Sequence, residues 1–462
     1  MEIKMKMLLV NPHLYTYNGF HNGHKYPTAL YNMGTHYKEN GWGVDVCDLR
    51  PEIAFSSRRR LDGQIVYYDD IEIITRPDIT RPCGNFDSEH LVKGVIRTGF
   101  PLSVLGEKLD AKQYDFITIS ACGSKTDVTS TSWIYVFMGV YECVDMCRKK
   151  QPNAKIQIVG EYAELYPDVA KASGADYVKE VSPSINFIHT DIDLFERETP
   201  YRMDISTSMG CANKCAFCFV PVIEGPKRIE RPVDDVLNQI ENLVDRGITK
   251  LRFVDSNLLQ NWDTHLKLIL QGIIDRNLSV DLTSYGGVEP VQFYEEHAVL
   301  MKEAGFNGVM VPLDRTNPKI LEKWGGKKSV EEWIRAVNVS MDVFGAVDSY
   351  IMIGVPGQTY DGLLETIQIC KKEGANPGTL PFTPLAGTCY EDNIIHPELQ
   401  HPLLWPYANE NLLVVQLETL LSMNSRSITS NKSWYDGDAI NAEVATRRTI
   451  YRSSQAIPIS IT

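Results

Sequence analysis

Cys211, Cys215 and Cys218 stand at offsets of zero, four and seven in the segment Ser208-Met-Gly-Cys211-Ala-Asn-Lys-Cys215-Ala-Phe-Cys218. Thiols this close along a loop can turn their sulfurs toward one metal centre. Thiolates hold iron–sulfur clusters, and three thiolates on a four-iron cubane leave one iron open. An open coordination position is the mark of a site that binds substrate, whereas structural metal sites are closed. No fourth ligand such as a further C-x-x-C follows nearby. A catalytic [4Fe–4S] site is therefore one reading, and a zinc knob or a chance grouping of cysteines is the other. Of the remaining cysteines, Cys143 and Cys147 sit four apart in a predicted helix and read as small core residues. Cys47, Cys83, Cys122, Cys370 and Cys389 have no motif spacing, and His21 and His24 read as solvated loop histidines.

The elements that must position the triad follow from periodicity. From about Tyr201 to Asp392 a strand-then-helix pattern repeats six times. Strands are predicted at Met203–Thr207, Lys250–Val254, Val280–Thr283, Gly308–Leu313, Ser349–Ile353 and Thr379–Thr383. The intervening helices carry apolar faces at helical spacing, such as Val236, Ile240, Leu243 and Val244. Six parallel βα units make an open (β/α)6 barrel, in which chemistry gathers at the carboxyl ends of the strands. The triad lies at the first of those ends. Residues 1–183 read differently, as an α/β doubly wound parallel sheet. Strands are predicted at Met7–Asn11, Val44–Cys47, Phe116–Ser120, Ile156–Val159 and Ala175–Val178, with helices over Tyr26–Asn40 and Trp133–Arg148. Ligand-binding lips are then Asn11 to Tyr15, Ser120 to Lys125 and Gly160 to Glu164. Residues 51–113, with Arg58-Arg-Arg60, Pro77 and Pro82, read as an insertion with hairpin content. Residues 184–395 form the barrel domain, and 396–462 a short, mainly helical capping region.

The chain has 462 residues, 46 Lys+Arg against 59 Asp+Glu, a net charge of −13 and 43% hydrophobic content. This excludes a disordered tail, a collagen-like repeat and a small disulfide scaffold. The acidic balance argues against nucleic acid as a partner. No run of eighteen apolar residues occurs, so no membrane span is expected. Nothing resembles an export signal, and a cytoplasmic setting with reduced thiols follows as the expectation.

With an aromatic, Phe217, just before the third cysteine, the motif resembles that of the radical S-adenosylmethionine (SAM) superfamily. Leu251-Arg-Phe-Val-Asp255-Ser-Asn257 is similar to the family's second-strand segment, and Leu300-Met-Lys-Glu-Ala-Gly305-Phe to its helix-to-strand turn. Ile351-Met-Ile-Gly354-Val-Pro356-Gly357-Gln358-Thr359 and Phe382-Thr-Pro-Leu-Ala-Gly387-Thr388 resemble the late barrel of its cobalamin-associated branch. The order of sheet domain and then barrel resembles the same branch. The resemblance implies that Cys211, Cys215 and Cys218 hold a [4Fe–4S] cluster whose open iron is chelated by SAM. Reductive cleavage of SAM would give a 5′-deoxyadenosyl radical that takes a hydrogen atom from an unactivated carbon. It further implies that Phe217 packs near the adenine, that Asp255, Ser256 and Asn257 meet the SAM amine, and that Asp314 meets the ribose. Gly354 and Pro356 would shape the adenine shelf. Asn11, His13, Ser120, Gly160 and Glu161 are the implied cobalamin contacts.

Three departures bear on that reading. Gly160-Glu161 stands where the family typically has paired glycines, Lys179-Glu180 where it often has Gly-Glu, and Glu289 where an arginine is frequent. The leading expectation is a cobalamin-dependent methyltransferase acting on a small molecule or peptide, reduced by a low-potential donor such as flavodoxin or ferredoxin. Cyclisation, rearrangement, epimerisation or dehydrogenation without methyl donation is the alternative, and a non-catalytic cluster or cobalamin sensor a third. Radical SAM methylthiotransferases are a competing relative. They carry three further cysteines for a second cluster, the first expected where this chain has Asn11-Pro-His13.

Overall fold

The structure is a computed structural model that describes residues 5–17, 28–50, 57–59, 65–67, 72–75, 95–121, 133–179, 187–195, 202–284, 286–314, 316, 329–355, 358–382 and 384–393. Expectations for His21, His24, Cys83, Cys122, Pro356 and the 396–462 region lie outside the described residues. The chain divides into two compact units, with the change from one to the other after Pro200.

In the first unit, β1 (Lys6–Asn11), β2 (Gly43–Asp48), β3 (Phe116–Ser120), β4 (Lys155–Val159) and β5 (Tyr177–Lys179) form one parallel sheet in the order β5-β4-β3-β1-β2. Met7, Leu8, Leu9 and Val10 are all fully buried, because a parallel sheet is covered on both faces and its central strands must be apolar throughout. Helices α1 (Thr28–Glu39), α2 (Leu102–Ala111) and α3 (Trp133–Lys150) are the main covering elements. In α3 the buried residues Val136, Val140, Cys143, Val144 and Cys147 recur at intervals of three and four, as an amphipathic helix requires. Cys143 and Cys147 are thus core residues. The strand order reverses between β1 and β3, which makes the crevice beyond Asn11 and Ser120 the topological switch point of a doubly wound sheet.

The 51–113 stretch carries hairpin structure: Ser57–Arg59 pairs with Ile65–Tyr67, and Val95–Gly99 pairs antiparallel with both Leu14–Tyr17 and Glu72–Thr75. Its last part is not irregular. Leu102–Ala111 is a helix that buries Leu105 and Leu109 and packs on α3. It starts at Pro101 with no side-chain cap, so the usual start signal is missing from the sequence.

In the second unit β6 (Met203–Ile205), β7 (Lys250–Phe253) and β8 (Asp281–Ser284) are parallel neighbours, as are β9 (Asp348–Ile353) and β10 (Asn376–Pro381). Helices α4 (Val233–Asp245), α5 (Leu266–Asp275), α6 (Glu295–Glu303), α7 (Val330–Phe344) and α8 (Tyr360–Lys372) alternate with them. The predicted strand Gly308–Leu313 is a looser link. It joins β8 and β9 through the parallel bridges Phe306–Leu282 and Met310–Asp348, and Pro312 removes a ladder donor there. The result is an α/β chain in which a Rossmann-like sheet is followed in sequence by a partial barrel of six parallel positions. The register of β6 on β7 is pinned by a buried bidentate pair, Arg252 Nε to Asp204 Oδ1 at 2.8 Å and Arg252 Nη2 to Asp204 Oδ2.

A pH effect follows at the start of α6. The Tyr294 N–H donates to His297 Nδ1 at 3.0 Å, and burial pushes the His297 pKa below its usual value. Neutral imidazole is therefore the form the fold selects. A folded pKa below the unfolded one means that the unfolded chain binds the proton more readily, so stability is full above about pH 6.5 and falls as pH drops toward the folded pKa. Thermal unfolding between pH 8 and 5 should show this loss, and a His297→Asn variant should lose part of it.

Candidate cluster and cofactor site

After β6 the chain passes through buried Thr207 and Ser208, and Ser208–Met209 pairs antiparallel with Ile229–Glu230. This hairpin closes the base of the loop that carries the triad. Cys211 is buried, Cys215 and Cys218 are half-buried, and none of the three is in a disulfide. The Cys218 N–H donates to the Cys215 carbonyl at 3.0 Å, forming a turn. Burial pushes the Cys218 thiol up to about 12, with the neighbouring Cys215 and Cys211 adding to the rise, while the Val220 N–H favours its thiolate. Burial also raises Cys211, against a stabilising bond from the Asn213 N–H, and the Glu289 and Glu224 carboxylates push it further the same way. The raised values keep Cys211 and Cys218 protonated on their own, and a cation that replaces those protons would bind the sulfurs as thiolates.

Among the described residues, no three His, Cys, Asp or Glu side chains stand close enough to hold a single metal ion. A zinc knob needs its sulfurs about 3.8 Å apart, given Zn–S bonds of about 2.3 Å in a tetrahedron. The loop is not folded into that cage. A [4Fe–4S] cluster is held by cysteine thiolates, the donor type that Cys211, Cys215 and Cys218 supply.

Gly210 sets the approach to Cys211. Its φ is +77°, and a Cβ there would lie 2.1 Å from the Lys227 carbonyl oxygen. Its N–H donates to Glu224 Oε2 at 2.9 Å, and the same oxygen accepts from Ser256 Oγ at 3.0 Å. Glu224 is thereby a buried brace between the triad loop and the end of β7.

The three predicted residues after β7 do different things. Asp255 is 2% exposed and faces back along the sheet. It accepts from Thr207 Oγ1 at 2.8 Å, from Ser208 Oγ, and from the Thr207 N–H at 3.3 Å. Ser256 is engaged with Glu224. Asn257 is buried, its carbonyl accepts from Arg228 Nη1 at 2.6 Å, and its Oδ1 has no hydrogen-bond partner. Arg228 also reaches Glu230 Oε1 at 2.9 Å.

The loop docks on the late strands through Phe217. Ala216, Phe217 and Met352 pack against the buried Val355, Phe382 and Tyr390, and the Cys389 N–H donates to the Ala216 carbonyl at 3.1 Å. Gly354, at φ +84°, ends β9. Gln358 braces the turn that follows: its Oε1 accepts from the Val355 N–H at 3.0 Å and its Nε2 donates to the Met352 carbonyl at 2.7 Å. Asp314 is buried at φ +56°, a strained conformation for a residue other than glycine, with its N–H on the Tyr350 carbonyl. The structure therefore brings the triad, Phe217 and the Gly354 turn into one neighbourhood. Gly210, Glu224 and Arg228 were not singled out from sequence. A glycine directly before the first cysteine was the one local signal, since close backbone approach favours glycine.

In the first unit, Asn11 ends β1, buried, with Nδ2 on Asp48 Oδ1 at 2.8 Å and Oδ1 without a hydrogen-bond partner. His13 is fully buried and its Nε2 lies 2.7 Å from Glu142 Oε2. Arg50 Nε donates to the Pro12 carbonyl at 2.6 Å. Ser120 is buried at the end of β3, and Gly160 at φ +111° leads into a short helix whose first residue is Glu161. These residues sit at the strand ends where a doubly wound sheet takes its ligand. Gly139 of α3 fits tightly beneath them, because a Cβ there would come 2.4 Å from the His13 carbonyl oxygen. Gly139→Ala should push the Pro12-His13 turn out of place, measured as a lower Tm.

Residues 205–370 match the radical SAM superfamily model. Among curated proteins, the tRNA-2-methylthio-N(6)-dimethylallyladenosine synthase of Helicobacter pylori is 23% identical over 322 residues, 62% of this chain and 70% of that protein. The ribosomal protein uS12 methylthiotransferase RimO of Thermodesulfovibrio yellowstonii is 23% identical over 297 residues, 60% of this chain and 67% of its own. Among solved structures, the radical SAM methyltransferase TsrM of Kitasatospora setae superposes with a TM-score of 0.61 at 18% identity, covering 85% of this chain and 76% of TsrM. The cobalamin-dependent radical SAM enzyme OxsB superposes with a TM-score of 0.50 at 13% identity, covering 94% of this chain and 62% of OxsB. The match over residues 205–370 spans the triad and most of the partial barrel, so that segment of the chain is similar to the radical SAM superfamily.

Proposed function

We propose that the protein is a cobalamin-dependent radical SAM methyltransferase acting on an unactivated carbon of a small molecule or peptide. The observation that carries the reading is the pairing of two strand-end sites in one chain. One is the triad loop at the mouth of the partial barrel; the other is the switch-point crevice of the sheet. TsrM and OxsB, whose descriptions name cobalamin, share this fold over most of the chain, which supports the same cofactor set here.

In this reading Cys211, Cys215 and Cys218 would hold a [4Fe–4S] cluster, and Phe217, the Gly354 turn and Asn257 Oδ1 would bind SAM. The bound groups supply one-electron cleavage of SAM and a transferable methyl group. The protein's share is positional. Asp255 holds Thr207 and Ser208 so that the triad loop leaves β6 at a fixed angle, and Glu224 ties that loop to β7. Val355, Phe382 and Tyr390 form an apolar wall that keeps water from the site. Asn11, His13, Ser120, Gly160 and Glu161 line the corrinoid crevice.

Methylthio transfer, the activity in the relatives' names, is the second reading. It calls for a further cysteine at the end of β1, where this chain has Asn11. The described cysteines of the first unit, Cys47, Cys143 and Cys147, are fully buried in the core. The test is anaerobic purification with a corrinoid supplied, followed by absorbance, iron analysis and mass spectrometry of SAM products. About four irons per chain with co-eluting corrinoid supports methyl transfer. About eight irons and no corrinoid supports methylthio transfer.

A further inference from the structure

Each nitrogen of the Arg228 guanidinium is engaged by a different part of the second unit. Nε donates to Glu230 Oε1 at 2.9 Å, Nη1 donates to the Asn257 carbonyl at 2.6 Å, and Nη2 lies 3.4 Å from His265 Nδ1. These acceptors belong to the return strand of the triad hairpin, the segment after β7 and the residue that precedes α5. The Arg228 side chain, Asn257 and His265 are all buried. A guanidinium is a rigid planar fork, so acceptors on three sides fix it and are fixed by it. His265 can serve as one of them in a single tautomer. Its Nε2 lies 2.9 Å from the Arg231 carbonyl, which accepts and cannot donate, so Nε2 carries the proton and Nδ1 the lone pair. The clamp thus holds the backbone of Asn257, whose Oδ1 is buried with no hydrogen-bond partner among the described residues. A buried amide oxygen is costly to leave unpaired unless a ligand completes it. Arg228 is also within electrostatic reach of the triad: burial raises the Cys211 thiol, and the guanidinium charge opposes that rise.

We infer that His265 is a positioning residue for SAM: through Arg228 it fixes the segment after β7 so that Asn257 Oδ1 accepts from the ligand's ammonium group. The inference rests on the reading that Asn257 Oδ1 binds SAM. An ammonium group only donates, and a neutral amide oxygen serves it well only at the right distance and direction. That direction is set by the backbone of Asn257, and the backbone is held by Arg228. Without an acceptor at His265 Nδ1, Arg228 Nη2 is left unpaired in a buried place, and the fork gains by turning away from the Asn257 carbonyl. His265 acts through Arg228 rather than on the ligand.

The test is equilibrium binding to the reconstituted, full-length protein, with SAM in one arm and 5′-methylthioadenosine, which keeps the adenosine and lacks the ammonium, in the other. His265→Gln places a donor near Nε2, so it keeps the bond to Arg231 and removes the acceptor for Arg228. It should raise the Kd for SAM by about fivefold and leave that for 5′-methylthioadenosine unchanged. His265→Asn places an oxygen near Nδ1, keeps the acceptor, and should stay within about twofold of wild type for both ligands. In an Asn257→Ala background His265→Gln should add nothing, since both changes act on one contact. Wild-type SAM affinity in His265→Gln, equal loss in the Gln and Asn variants, equal loss for both ligands, or additivity with Asn257→Ala would overturn the positioning role. If His265→Gln loses its iron or its fold, Arg228→Lys decides. A point charge cannot span the three acceptors, so SAM binding alone should weaken; unchanged affinity, or failure of this variant to fold as well, overturns the role. A wild-type protein that binds no SAM overturns the parent reading, and the positioning role with it.

Discussion

Gly210→Ala is expected to abolish cluster assembly while leaving the N-terminal sheet folded. The alanine Cβ would sit 2.1 Å from the Lys227 carbonyl oxygen at a backbone φ of +77°. The left-handed conformation alone costs about 1–2 kcal/mol for a residue with a Cβ. The overlap is with backbone, which cannot rotate away, so the loop must move and Cys211 moves with it. Gly225→Ala and Gly247→Ala separate the two effects: both have φ near +80°, but a Cβ at either meets nothing within 4 Å. They should cost only the conformational term and keep their iron. Iron and sulfide per chain after reconstitution, with far-UV circular dichroism beside it, decides the matter.

Asp255→Ala should cost about 3 kcal/mol or more, because it leaves Thr207 and Ser208 buried without their charged acceptor. Its effect on the cofactor should be large for a residue that does not itself face the loop's thiols. With Thr207 and Ser208 released, the angle at which the chain leaves β6 is no longer fixed. Asp255→Asn keeps the shape and part of the bonding and should recover most of the stability. If Asp255 served as a SAM ligand alone, Asp255→Ala would weaken SAM binding at unchanged Tm. A fall in Tm together with a lower cluster occupancy is the result expected here.

Much of this site is legible in the sequence because its signals are local. The triad spacing spans eight residues, and the apolar runs such as Met7–Val10 name the sheet strands directly. Other features depend on partners far away in sequence. Asp255 looks like a strand-end polar residue offered to a ligand, and only the folded chain shows its carboxylate spent on Thr207 and Ser208, 48 and 47 residues earlier. Glu224 and Arg228 look like ordinary loop charges for the same reason. The Leu102–Ala111 helix escapes because it has no cap and a short apolar face. The last barrel strand, predicted at Thr379–Thr383, lies at Asn376–Pro381, since its pairing with β9 fixes its bounds more than its own composition does.

The most direct test of the account is electron paramagnetic resonance on the anaerobically reconstituted, reduced protein with and without SAM. The expected result is the signal of one reduced [4Fe–4S] cluster per chain that changes when SAM is added, and that disappears when Cys211, Cys215 and Cys218 are all changed to alanine. A signal that SAM leaves unaltered, or one that persists in the triple variant, would contradict it.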